Sequence, residues 1–140
     1  MKLDAGLLRE SFEALRPRGD AVVARFYSVL FERYPDARAL FAKTNMVEQR
    51  KKFFETLERI VQHLEQPDAL LSELLLLGNS HVDYGVRADQ YGPVCDCLVE
   101  AMKTESGQAW TPAIEKAWRD AYAAVAEIMK KGSALRRKST

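Results

Sequence analysis

Only two of the 140 residues are cysteine and only two are histidine. Cys95 and Cys97 stand two apart, too close for a helix to bridge them, and no second pair completes a zinc set. A disulfide framework and a structural zinc site are thereby excluded. Charge of one sign is missing as well, with 21 Lys+Arg against 20 Asp+Glu and a net charge of +1. No global field draws the chain to nucleic acid, and no basic stripe with interleaved aromatics occurs. No apolar run nears the roughly 18 residues of a membrane span. The longest, Leu74 to Leu77 with its neighbours, is broken by Glu73 and Gly78. Met1-Lys2-Leu3-Asp4 has no apolar segment behind its lysine, so no secretion signal is expected and the cytoplasm is the expected compartment.

What is present is a composition 47% hydrophobic and 29% charged, that of an ordinary folded domain. Helical periodicity runs through almost every segment, and strand alternation through almost none. Asp4 is placed to cap a first helix carrying Leu8, Phe12 and Leu15, which Pro17-Arg18-Gly19 ends. A second helix is expected from Asp20 to Tyr34, with Val22, Val23, Phe26, Tyr27, Leu30 and Phe31 on its apolar face. Pro35 opens a short turn ending in Leu40-Phe41. Asn45, with Glu48 three residues on as in a capping box, starts a helix to about Leu64 with Gln49, Phe53, Leu57 and Val61 on one side.

After the break at Gln66-Pro67-Asp68, a leucine-dense helix leads through Gly78 and His81 and stops near Tyr84-Gly85. Another is expected from Ala88 to Thr104, with Tyr91, Val94, Cys95, Leu98 and Met102 in phase, until Ser106-Gly107 breaks it. Thr111-Pro112 begins the last, and Gly132 is expected to end it. This predicts an all-α fold of six or seven helices. One domain spans residues 1–132, and residues 133–140 form a short basic tail. The stub ending in Phe41 implies steep helix crossings that make room for a pocket.

Any histidine chemistry has two candidates. His63, late in its helix beside Gln62 and Glu65, reads as a partly solvated residue. His81 shares a stripe with Leu74, Leu77 and Gly78. On spacing alone, a buried core histidine and a ligand both remain open there.

The wider pattern bears on that choice. Phe26-Tyr27 with Leu30-Phe31 and Pro35 comes first, then Leu40-Phe41 and Gln49-Arg50. His81 with Tyr84-Gly85-Val86, Tyr91 and Val94 follows, and Ala117-Trp118 with Ala121-Tyr122 closes the series. In this order and spacing, from about Leu7 to Lys131, the chain resembles the globin family, specifically bacterial single-domain globins similar to the haem domain of flavohaemoglobins.

The resemblance implies a globin fold of six to eight helices around a pocket for haem b (iron protoporphyrin IX). His81 matches the proximal histidine that binds the iron, and Phe41 the phenylalanine that packs on the haem face. Tyr27, Gln49 and Phe53 match the positions lining the ligand side, and Leu77, Val86, Tyr91, Val94 and Leu98 complete the expected cofactor contacts. Neutral imidazole is a standard axial ligand for haem iron. Its second nitrogen is expected to donate to the Leu77 carbonyl one turn back. Gly78 is expected to let that helix approach a flat macrocycle. The implied ligands are O2, CO and NO, with the Tyr27 phenol and the Gln49 amide as two donors stabilising charge on bound O2. Lys52 and Arg87 could each reach a propionate or remain in solvent.

The sequence also departs from the family. Flavohaemoglobins carry a flavin- and nicotinamide-binding reductase after the globin, whereas this chain stops at Thr140, so electrons are expected from a separate reductase. Those proteins also set a glutamate of the last helix against the proximal histidine. Counting on from Trp118 and Tyr122, the matching position is Leu135, beyond the expected helix end at Gly132, and the nearest upstream acid is Glu127. Without a carboxylate partner His81 should push less electron density to iron, which disfavours peroxide-splitting chemistry. Three functions follow from the resemblance: O2 binding for storage or scavenging, NO dioxygenation with a separate reductase, and gas sensing. Sensing is the weakest, because no transmitter domain is expected. The first two need the same pocket and differ in the rate of re-reduction.

Overall fold

A computed structural model describes residues 3–83 and 88–139, without the side chains of residues 67, 79–83, 88, 133 and 135–139. Helix α1 (Ala5–Leu15) begins where Asp4 accepts the Leu7 amide at 3.0 Å. A 3-10 turn at Arg16–Arg18 joins it to α2 (Gly19–Arg33), and a second 3-10 turn, Pro35–Phe41, follows. Asn45 then caps α3 (Met46–Gln62), taking the amides of Val47 and Glu48 at 3.1 and 3.3 Å. The leucine-dense segment is α4 (Pro67–Asp83). A 3-10 turn at Ala88–Gln90 leads into α5 (Tyr91–Ser106), which ends at Gly107, φ 58°. Thr111 takes the Ile114 amide at 3.1 Å as α6 (Pro112–Ser139) begins. The described residues contain no strand, and none of their helices is long and apolar enough to cross a membrane.

The helices bury two apolar clusters. The larger joins α1, α2, α5 and α6 through Leu8, Phe12, Val23, Phe26, Met102 and Trp118. One polar link runs inside it: Trp118 Nε1 donates to Ser11 Oγ at 2.9 Å, and Ser11 donates to the Leu7 carbonyl at 2.8 Å. The indole is thus satisfied where no water reaches it. Both cysteines are free and buried, and burial pushes the Cys95 thiol up to about 11, so it stays protonated at neutral pH.

The smaller cluster fixes α4. Leu70 and Leu74 pack with Tyr91, Ala126 and Met129. A Cβ at Gly78 would stand 2.0 Å from the Met129 carbonyl oxygen, and one at Gly132 would stand 2.3 Å from that of Leu75. The backbones of α4 and α6 touch, and only glycine admits that approach.

Two expectations are overturned by this crossing. Gly132 does not end the last helix: it is buried in the crossing, and α6 continues to Ser139. Gly78 faces the Met129 backbone rather than a macrocycle. A glycine deep in a helix reads from sequence as a stop, whereas here it is a contact. Gly132→Ala is therefore expected to cost about 1–3 kcal/mol, the usual range for forced overpacking, read as a lower urea midpoint with unchanged slope. Gly92→Ala, with nothing within 4 Å of the added carbon, should leave the midpoint near wild type.

Candidate functional site

The apolar face of α2 delivers Tyr27 inward, 4% exposed. The 3-10 turn that Pro35 opens ends by bringing Phe41 edge-on to the Tyr27 ring at 5.5 Å. The Asn45 cap sets the register of α3, whose first turns present Gln49 and, one turn later, Phe53, 5.9 Å from the same ring. Phe26 and Phe31 close the cage at 4.9 and 5.9 Å. A phenol is thus surrounded by four phenylalanine rings.

Gln49 Nε2 donates to the Tyr27 hydroxyl oxygen at 3.0 Å. The bond leaves the phenol's own O–H to donate elsewhere. Gln49 therefore orients and polarises Tyr27, so that beside the expected arrangement of two donors sharing one acceptor stands a second, donors in series. Burial raises the Tyr27 pKa above its ordinary value of 10, with the Gln49 bond and the Arg50 charge pulling the other way. The phenol is a proton donor across the neutral range. Any ligand-release rate that depends on this proton is expected to stay flat from about pH 6 to 9, measured by stopped flow.

The other expected contacts divide between the two clusters. Phe41, Phe53 and Val94 are part-buried against the larger one, and Leu98 is buried within it. Leu77 is part-buried against the smaller cluster, where Tyr91 is buried. Phe41, Phe53, Val94 and Leu77 are thus left half-covered at the margins of the two cores. His81 belongs to the last turn of α4, and its side chain lies outside the described residues, as do Val86, Arg87 and the Tyr84-Gly85 pair. The expected bond to the Leu77 carbonyl falls there too. Lys52 is exposed.

His63 is half-buried, as expected, but its Nδ1 turns inward to 3.7 Å from Glu73 Oε2 on α4. Arg59 holds the other oxygen of Glu73 at 2.5 Å. On α6, Leu135 is a helical residue rather than part of a tail, because the helix runs past Gly132. The charge that α6 brings to Tyr91 is a cation: Lys130 Nζ stands 5.8 Å from the ring centroid, with Glu127 3.5 Å from that nitrogen. Reading the sequence missed Arg50 as a group whose charge reaches Tyr27, although its place beside Gln49 was the available signal.

The globin family profile matches residues 24–129. A flavohemoprotein of Oceanobacillus iheyensis is 27% identical over 124 residues, covering 87% of this chain and 30% of that protein. The chain thus spans about a third of the length of the flavohemoproteins it matches. An uncharacterized globin-like protein of Aquifex aeolicus is 27% identical over 125 residues, covering 88% of this chain and 86% of the other. Among solved structures, an engineered carbene transferase, provisionally described as a nitric oxide dioxygenase from Rhodothermus marinus, superposes with a TM-score of 0.87. It is 30% identical, over 96% of this chain and 94% of that one. A bacterial globin from Campylobacter jejuni gives 0.83 at 23% identity, covering 96% of each chain, a likeness of fold. A profile match over most of the chain, on an all-helical fold shared with these structures, shows that the chain belongs to the globin family.

Proposed function

We propose that this globin holds haem b against Phe41, Phe53, Leu77, Val94 and Leu98, with His81 as its iron ligand, and reversibly binds O2 and other diatomic gases beside Tyr27. The observation that carries this reading is the Tyr27–Gln49 pair, a protonated phenol caged by aromatic rings with an amide on its oxygen. Bound haem would supply a reducible iron able to take a small ligand. The chain's own contribution is a donor aimed from an otherwise apolar wall, which favours a ligand that carries negative charge. A second reading, NO dioxygenation with electrons from a flavin-dependent reductase, is supported by the likeness to flavohemoproteins and to the Rhodothermus marinus protein.

One absorption series on the purified protein, ferric and then ferrous under O2 and CO, tests the first reading. Absence of a haem spectrum after reconstitution would end it. Consumption of NO by the O2-loaded protein, supplied with a reductase, tests the second. Haem bound only by the folded chain stabilises it by mass action, about 4 kcal/mol at a thousand times Kd. The holo form is therefore expected to melt roughly 10 °C above the apo form, measured by circular dichroism.

A further inference from the structure

Ion pairing is unevenly spread over this molecule. Arg9, Arg16, Arg25, Arg33, Arg59 and Arg119 are each held by a carboxylate. Among the described residues, Arg38, Lys43, Arg50, Lys51 and Lys52 have no such partner, and they fall in one stretch with three acids, Asp36, Glu48 and Glu55. The other cations without an ion pair among the described side chains, Arg18, Lys103 and Lys131, are scattered along the chain, and Arg18 bonds the Glu105 carbonyl. Arg38 and Arg50 of this stretch reach the candidate site, and Lys43, Lys51 and Lys52 flank them in sequence. Arg38 stacks on Phe31 at 4.9 Å, Phe31 meets Phe41 at 5.6 Å, and Arg50 acts on the Tyr27 hydroxyl. Two large apolar side chains also stand exposed here, Leu40 at 39% and Val47 at 69%. On α3, Val47, Arg50 and Lys51 occupy one face at three- and four-residue spacing.

Unpaired cations around a small apolar centre are complementary to an acidic protein surface, and such charge speeds encounter more than it adds affinity. Two apolar side chains and one partly exposed ring, Tyr34 at 39%, are too few to insert into a bilayer or to stack successive bases. We propose that this face, centred on Lys43, Val47 and Lys51, docks the acidic surface of an electron-donating flavoprotein beside the Tyr27–Gln49 pair. The inference rests on the haem reading. In the transfer, one electron would leave a flavin hydroquinone, which becomes the semiquinone, and would reduce ferric haem iron to ferrous.

The probe is flavodoxin, a small acidic FMN protein, used with the haem-loaded globin. Calorimetric binding of oxidised flavodoxin, and the rate of reduction by its hydroquinone, are both expected to weaken about tenfold from roughly 20 to 200 mM salt. The double substitution Lys43→Glu/Lys51→Glu should lower both about tenfold at low salt, and Lys103→Glu on α5 should lower neither. Reduced riboflavin, a small reductant with no protein surface to dock, should reduce all variants alike. Salt-independent rates, indifference to the double substitution, or binding to vesicles of phosphatidylcholine and phosphatidylglycerol without binding to flavodoxin would overturn the proposal. A protein that takes up no haem would show it by its missing Soret band, and calorimetry would still report on the docking face.

Discussion

His81→Ala is expected to leave purification with about a tenth or less of the wild-type haem content. The proposed site offers one strong bond to iron, and the remaining contacts are apolar or lie across the pocket at Tyr27. Losing a supporting group around a metal ligand already costs about ten- to a hundredfold in affinity, so losing the ligand should cost more. The apoprotein should nonetheless stay helical. The register of α4 is set by Leu70 and Leu74 and by the Gly78 and Gly132 contacts with α6, none of which involves His81. The variant is therefore expected to melt at the temperature of wild-type apoprotein. His63→Ala is the internal control: it gives up a contact to Glu73 and should keep the wild-type ferrous spectrum. Full haem occupancy and an unchanged ferrous spectrum in His81→Ala would remove His81 as the ligand. Pyridine haemochrome assay and far-ultraviolet circular dichroism separate loss of haem from loss of fold.

Much of this was legible from residue order, for physical reasons that can be named. Asp4, Asn45 and Thr111 signal helix starts because their side chains satisfy the backbone amides that follow, a local effect visible within four residues. The apolar face of α2 carried Tyr27 into the core as its spacing implied. Gly132 misled, because the same residue type serves as a helix stop and as a close-contact point, and only the partner backbone decides between them. That partner, Leu75, is 57 positions away. The Gln49 bond was hidden for a related reason. Sequence showed two polar groups near one pocket, but which donates to which depends on how α3 lies on α2. The cation at Tyr91 was hidden in the same way: Lys130 lies within the expected helix, but which ring it meets depends on how α6 lies on α5.

Tyr27→Phe is expected to speed O2 release by roughly tenfold to a hundredfold. A hydrogen bond to a charged acceptor is worth about 1.5–3 kcal/mol, and phenylalanine keeps the ring that packs on Phe26, Phe31, Phe41 and Phe53. The change therefore removes a donor and little bulk. Gln49→Leu should act in the same direction and less, about two- to fivefold, because the amide works through the phenol oxygen 3.0 Å away. The series arrangement makes a sharper claim than the size of either effect. In the Tyr27→Phe background the oxygen that Gln49 serves is gone, so adding Gln49→Leu should change O2 release little further. Were the amide itself the donor to bound O2, the second substitution would still accelerate release in that background. CO, which carries little negative charge when bound, should leave all three variants at nearly the wild-type rate. Stopped-flow release of both gases from the wild type, the two single variants and the double variant reads out every step, and equal acceleration of O2 and CO would mean that Tyr27 and Gln49 act by filling space alone.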